Sequence, residues 1–490
     1  MPPEDTRSSI SAEPVTRQKV VNSVKWTAIE KYSSQGIQFI VSIIMARLLT
    51  TAEYGIIGII SVFLSFSSML IDSGLERALI HKKTCTAIDF STANVTNIIF
   101  SLMCYMILFF CAPFIADFYG MPIITPTLRV MSLTFIFGAV AGVSRTILTK
   151  ELAFKRLSLI TLTTSILSGI IGITMAYLGM GVWALVLQAV LATLFSSICV
   201  IIVAKYKLSF RFSRSSFKEL FGFGSKMLGS DFIWVLFTNI HPMLIGKVFN
   251  AQSVGYYNRA TAYSDLLPNN LSGILGKVLF PVFSTLQDDE QRLERLYTKA
   301  LTVTSAIIFS GNFFLMGLAY PLILNMISEK WLPCVPLLQI LCIARLINHI
   351  NAINGRVLIA KGFPGVFLKM TSVTLPLTLI IILISINFGL IALAWGSVIS
   401  SLTGTVYCCY VFKKYSGINP WKSLRGTIQI LFISGPIGLG ALLLFKYILA
   451  PSLLNLLIVG ISMTLVYILA LRLLCPQILE ELIYLVKRKR

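Results

Sequence analysis

The 490-residue sequence is 56% hydrophobic and only 12% charged, with a mean hydropathy of +0.83, which excludes a water-soluble globular domain. Its 41 Lys and Arg against 20 Asp and Glu leave a formal charge of +21; in a chain of apolar spans that excess orients loops in the bilayer and does not point to nucleic acid. Nine cysteines without a C-x-x-C pair and three scattered histidines argue against a disulfide framework and a metal site.

The polar start MPPEDTRSSISAEP lacks the basic and short apolar regions of a cleaved signal, so residues 1–20 are expected to form a disordered cytoplasmic tail. Stretches of roughly 20 apolar residues, the length a helix needs to span a bilayer, then recur to the end. They predict an all-α polytopic membrane protein with helices near 24–46, 54–72, 92–116, 127–148, 157–177, 182–204, 219–248, 254–283, 297–325, 333–355, 366–387, 389–412, 426–449 and 452–473, fourteen in all. With the N-terminus inside, 32 of the 41 basic residues fall in inward-facing segments, six outside and three within spans. Both termini are therefore expected in the cytoplasm.

Internal similarity divides this array. LLTTAEYG at 48–55 aligns with VFNAQSVG at 248–255, APFIADF at 112–118 with YPLILNM at 320–326, RTILTK at 145–150 with RVLIAK at 356–361, and LGMGVWAL at 178–185 with FGLIALAW at 388–395. The offsets stay between 200 and 211, which predicts two parallel six-helix repeats. The expected organisation is a first lobe at 21–204, a basic cytoplasmic linker at 205–218, a second lobe at 219–412, helices 13 and 14 at 413–474, and a basic cytoplasmic tail at 475–490. Two such lobes can rock about a central cavity, the geometry of alternating access.

Helical periodicity selects what would line that cavity. In helix 1, Lys31, Ser34, Gln35, Gln38 and Ser42 share one face, with Glu30 at its edge. Helix 2 groups Gly58, Ser61, Ser65, Ser68 and Asp72; helix 7 groups Ser230, Asp231, Trp234, Thr238 and His241; helix 8 groups Asn258, Thr261, Asp265, Pro268, Asn269 and Ser272. Small polar stripes also serve ordinary helix packing, but charges embedded in equivalent helices of both halves favour a wet cavity. Lys31 lies near an interface, where it can snorkel or meet cargo. Arg345 and Asp265 fall near mid-membrane, as a structural bridge or as an anion-attracting cation beside a proton- or cation-carrying carboxylate. His349 lies one turn from Arg345. Lys31 and Asp231, equivalent in the repeat and opposite in charge, form another candidate pair.

The stretches ARLLTTAEYGIIGIISVF (46–63), GLERALIHKK (74–83), ELAFKRLSLI (151–160), GVWALVLQ (181–188), MLIGKVFNAQSVGYYNRA (243–260), LPNNLSGILGKVLFPVFSTLQDD (267–289) and KWLPCVPLLQIL (330–341) together resemble polysaccharide exporters of the multidrug/oligosaccharidyl-lipid/polysaccharide superfamily. The branch is that of Wzx-type flippases and of lipopolysaccharide, colanic and teichuronic acid exporters. The resemblance covers about residues 20–440. It implies a V-shaped, fourteen-helix carrier that moves a polyprenyl-pyrophosphate-linked oligosaccharide across a bacterial inner membrane. It also implies that cavity cations, here Lys31 and Arg345, meet the pyrophosphate. Where the family carries an acidic residue soon after Asn239, this chain has His241 and Pro242.

The substrate-binding set so expected is Lys31, Gln35, Gln38, Asn269, Arg345 and His349, and the coupling or ion-pairing set is Glu30, Asp231 and Asp265. Implied partners are the lipid-linked glycan, membrane lipid and polysaccharide polymerase or export machinery. Neither an enzyme nor a cofactor is expected, because the loops are short and no GxxxxGKS phosphate loop occurs. The rival reading is a proton- or Na+-coupled small-molecule antiporter built on Asp231 or Asp265.

Overall fold

The computed structural model describes residues 17–72, 74–82, 84–205 and 209–487, and among them it is helical throughout, without strands. Most of the expected 1–20 tail, part of the 205–218 linker and the end of the KRKR tail lie outside the described residues. The chain divides into two compact units, 1–255 and 256–490. Eleven helices among the described residues are long and apolar enough to cross a membrane. The chain is a multi-pass membrane protein.

The first unit contains α1 (Arg17–Leu48), α2 (Thr51–Asp72), α3 (Leu75–His81), α4 (Ala87–Tyr119), α5 (Ile124–Met131), α6 (Leu133–Lys150), α7 (Phe154–Tyr177), α8 (Val182–Ala204) and α9 (Arg214–Val248). Helix α10 (Ala251–Ser264) straddles the division, and the second unit continues with α11 (Leu266–Thr285), α12 (Glu290–Met326), α13 (Cys334–Ala360), α14 (Pro364–Ser385), α15 (Leu390–Ser416), α16 (Pro420–Tyr447), α17 (Leu453–Leu474) and α18 (Pro476–Lys487).

Each apolar stretch forms a helix close to its expected place, and local chemistry explains the differences. The expected helix at 92–116 begins at Ala87, because Thr86 and Asp89 form a reciprocal cap across the first turn. The one at 127–148 is two helices meeting at Ser132, whose hydroxyl donates to the Arg129 carbonyl at 3.0 Å and competes with the backbone ladder. The one at 254–283 is likewise broken, at Asp265. Pro268 has no N–H to offer the Ser264 carbonyl, so the ladder is interrupted there. Two short helices, α3 and α18, fall in stretches expected to be loop and tail. The segments not among the eleven spans are α1, α9 and α10 with α11.

In the first unit α1 packs on α7, α7 and α6 on α8, and α4 on α6, while α9 packs on α2, α3 and α4. One core cluster joins Leu75, Leu79, Phe90, Val143 and Leu220, drawing α9 into this unit, whereas from the sequence it was expected at the head of a second lobe. In the second unit α12 packs on α16 and α13, and α15 on α13 and α14, around Leu293, Tyr297, Leu301, Val357 and Phe412. Phe114 and Phe432 are 74% and 73% exposed, as expected of side chains facing lipid.

The repeat stretches 48–55 and 248–255 meet inside the first unit. A Cβ on Gly55 would overlap the Ala251 carbonyl, and one on Gly255 would overlap the Thr51 carbonyl. The two contacts are reciprocal at an offset of 200, and the capping residues correspond as well: Thr50 oxygen accepts from Glu53 N at 3.3 Å, and Asn250 oxygen from Ser253 N at 2.8 Å.

Candidate functional site

Helix α1 begins the first polar surface. Lys31 and Gln38 are exposed and Gln35 is half-buried, whereas Ser34, on the same stripe, is buried. Glu30 turns the other way: its carboxylate accepts from the Thr161 hydroxyl at 3.0 Å and from Ser158 at 3.3 Å, both on α7. The acidic and basic neighbours that stand side by side in the sequence thus face different surroundings. Glu30 ties α1 to α7, and Lys31 is left exposed.

Asp231 does not join Lys31. Its carboxylate lies 3.4 Å from Arg77 on α3, with both side chains about half exposed (56% and 41%), so the pair is exposed and weakly stabilising. Around it Lys82 bridges Glu219 at 2.8 Å and Asp89 at 3.1 Å, tying α3, α9 and the start of α4 together. Lys82 keeps its proton to higher pH than an ordinary lysine, chiefly because of the hydrogen bond to Glu219.

In the second unit the structure brings Arg345 and Asp265 together. Arg345 Nη2 donates to Asp265 Oδ2 at 3.1 Å, and Nε lies 2.5 Å from Oδ1, so both carboxylate oxygens face the guanidinium fork. The side chains are only 21% and 26% exposed. Asp265 stands at the break between α10 and α11, where the first turn of α11 offers the positive end of its dipole. His349 is separate from this pair: it is buried, its Nε2 2.9 Å from the Ser305 hydroxyl and its Nδ1 2.7 Å from the Leu346 carbonyl, with its ring edge-on to Phe309. Three residues before it, Leu346 packs in the same core cluster as Phe309, so the histidine completes a polar contact in the α12–α13–α16 packing. Asn269 is exposed one turn after Asp265.

Sequence reasoning missed a polar cavity of about 510 Å³ inside the first unit, between α2, α3, α4, α6, α7 and α8. Glu76, Asn97, Arg145 and several Ser and Thr hydroxyls line it, and Phe135 and Ile71 form an apolar wall. Asn97 is 3% exposed and its Oδ1 has no partner; the neighbouring Asn94 and Ser144, fully buried, also have unpartnered side-chain atoms. The signal was available: Asn94, Asn97 and Ser101 recur at helical spacing on the expected third helix, outside the four helices compared for stripes.

The sequence profile of the polysaccharide biosynthesis protein family matches residues 44–336, more than half of the chain. The chain belongs to this family. Similar members include the lipopolysaccharide biosynthesis protein WzxC of Escherichia coli K12, 25% identical over 71% of each chain. The teichuronic acid biosynthesis protein TuaB of Bacillus subtilis 168 is 25% identical over 82% of this chain and 84% of its own. Among solved structures, the lipid II flippase MurJ in an inward closed conformation superposes with a TM-score of 0.71, covering 90% of this chain and 97% of that one at 16% identity, a likeness of fold. The motif stretches that carried the resemblance, from 46–63 to 330–341, fall almost wholly inside the residues that the family profile matches.

Proposed function

We propose that this protein is a flippase that carries a polyprenyl-pyrophosphate-linked oligosaccharide, a repeat unit of O-antigen, capsule or exopolysaccharide, from the inner to the outer leaflet of a bacterial inner membrane. The family match over residues 44–336 carries the reading. The names of WzxC and TuaB and the MurJ-like fold support it. The cargo joins a greasy tail, an anionic diphosphate and a bulky polar glycan, and such a molecule needs a polar, cation-bearing path beside lipid. Lys31, exposed beside Gln35 and Gln38, is the cation placed to meet the diphosphate.

The finer architecture belongs to the same proposal: fourteen spans in two parallel six-helix repeats plus two terminal helices, both chain ends in the cytoplasm, and alternating access between the halves. The reciprocal Gly55–Ala251 and Gly255–Thr51 contacts support the repeat, because equivalent residues meet across a local two-fold. The protein moves its substrate without altering it, and any polymerase acts as a separate partner.

The test is made in cells lacking the gene. Lipid-linked oligosaccharides are extracted and compared with wild type and with Lys31→Ala and Arg345→Ala complements. A complete lipid-linked unit should accumulate facing the cytoplasm, with surface glycan lost. Normal lipid-linked pools accompanied by changed drug tolerance would instead establish an antiporter.

A further inference from the structure

We propose that the cavity inside the first unit is a carbohydrate subsite, holding a short run of sugar residues from the lipid-linked glycan; this rests on the flippase reading above. Its size, about 510 Å³, falls within the roughly 300–1,000 Å³ of small-molecule pockets.

The lining decides the chemical class. Thr134, Thr164 and Thr193 spend their hydroxyl protons on the carbonyls of Met131, Ile160 and Ala189, at 2.8, 2.8 and 3.0 Å. What they offer the cavity is therefore lone pairs. Glu76 adds a carboxylate to the lining; Asn97 Oδ1, separately, has no partner in the protein, a buried acceptor whose desolvation calls for a donor. Arg145 supplies donors: one of its nitrogens already reaches the Ser196 hydroxyl at 3.0 Å, and the guanidinium has five N–H groups in all. A metal cation or hydronium would satisfy only the acceptors and would share the cavity with a like charge. A neutral polyol satisfies both sets, because each sugar hydroxyl donates and accepts. The apolar wall of Phe135 and Ile71 suits the C–H face of a pyranose.

Gly142 holds this arrangement open. A Cβ there would stand 2.5 Å from Glu76 Oε1 and 3.5 Å from Asn97 Nδ2, so the absent side chain lets both polar groups lie against α6. Gly142→Ala would push aside the end of a flexible carboxylate side chain without meeting backbone.

The experiment uses the full chain in nanodiscs and three probes: lipid-linked oligosaccharide extracted from the deletion strain, its glycan released by mild acid, and undecaprenyl pyrophosphate without sugar. Glu76→Gln, Asn97→Ala and Gly142→Ala are compared with wild type, after their melting temperatures confirm folding. Each should weaken the released glycan and the lipid-linked unit about tenfold, the loss expected when one or two hydrogen bonds go, one of them to a charged group, while undecaprenyl pyrophosphate binds as in wild type. Wild-type affinity for the glycan in all three variants overturns the subsite and leaves the flippase reading standing. A changed Na+ or pH dependence of melting in Glu76→Gln, with glycan binding untouched, overturns it in favour of a cation site. Failure of the wild-type protein to bind the lipid-linked unit at all overturns both.

Discussion

Replacing Arg345 by alanine would leave the Asp265 carboxylate at the α10–α11 break without its partner. Breaking a fully buried pair costs about 3–5 kcal/mol, because the remaining charge stays desolvated. Here the side chains keep 21% and 26% of their exposure, so solvent recovers part of that cost and about 2–3 kcal/mol is expected. For a unit of the size of 256–490 this corresponds to a fall in melting temperature of roughly 4–12 °C in detergent or nanodiscs. Asp265→Ala alone should do the same, and the Arg345→Ala/Asp265→Ala double variant should recover most of the loss, since no orphan charge remains. Surface glycan is then read in the same strains. Export restored by the double variant assigns the pair to structure; export still absent from a thermally restored double variant assigns Arg345 to the cargo. A single variant that melts with wild type, or a double variant whose loss is the sum of the two, would refute the coupling argued from the geometry.

Lys31→Ala should shift stability by no more than about 0.5 kcal/mol, because the side chain is exposed, yet lower surface glycan several-fold; melting and glycan blots separate the two effects. Gly55→Ala should destabilise by about 1–3 kcal/mol through overpacking against the Ala251 backbone, which cannot swing aside as a side chain can; thermal unfolding checks this, and an unchanged melting temperature would deny the close contact. Glu30→Ala should cost only about 1 kcal/mol, since Ser158 and Thr161 also bond their own turns at 2.7 and 3.0 Å, and unfolding of the variant beside Glu30→Gln measures it. The Lys82 proton is held more tightly in the folded state, so its contribution is complete below the ordinary pKa of 10.5 and is lost as pH rises through the higher folded value. Melting followed from pH 9 upward should therefore show an alkaline loss that Lys82→Met lacks.

The sequence by itself determined the class and the helices. A run of apolar residues in a bilayer has no water to satisfy its backbone, so it must be helical whatever its neighbours do, and the apolar stretches lie close to where composition places them. Turns, caps and glycines are local features too: Thr50 and Asn250 cap the helices that follow them, and Gly55 and Gly255 come five residues later. The Arg345–Asp265 pair was legible as one of several options, because two charges at similar depth in apolar helices need partners.

Which partner each polar group took was decided only in three dimensions. Periodicity gives the face of one helix and not the helix opposite it. Glu30 could not be assigned to α7, nor Asp231 to Arg77, without the packing. His349 is one turn from Arg345, but the α12–α16 contact captures its ring. Pro268 announced a freed carbonyl, while the placement of Asp265 at the resulting break depended on the fold around it. The cavity around Asn97 needs six helices at once, and most of the side chains they contribute look like ordinary packing residues alone. Convergence of that kind is a property of tertiary structure, because distances between helices are set by the side chains of all of them together.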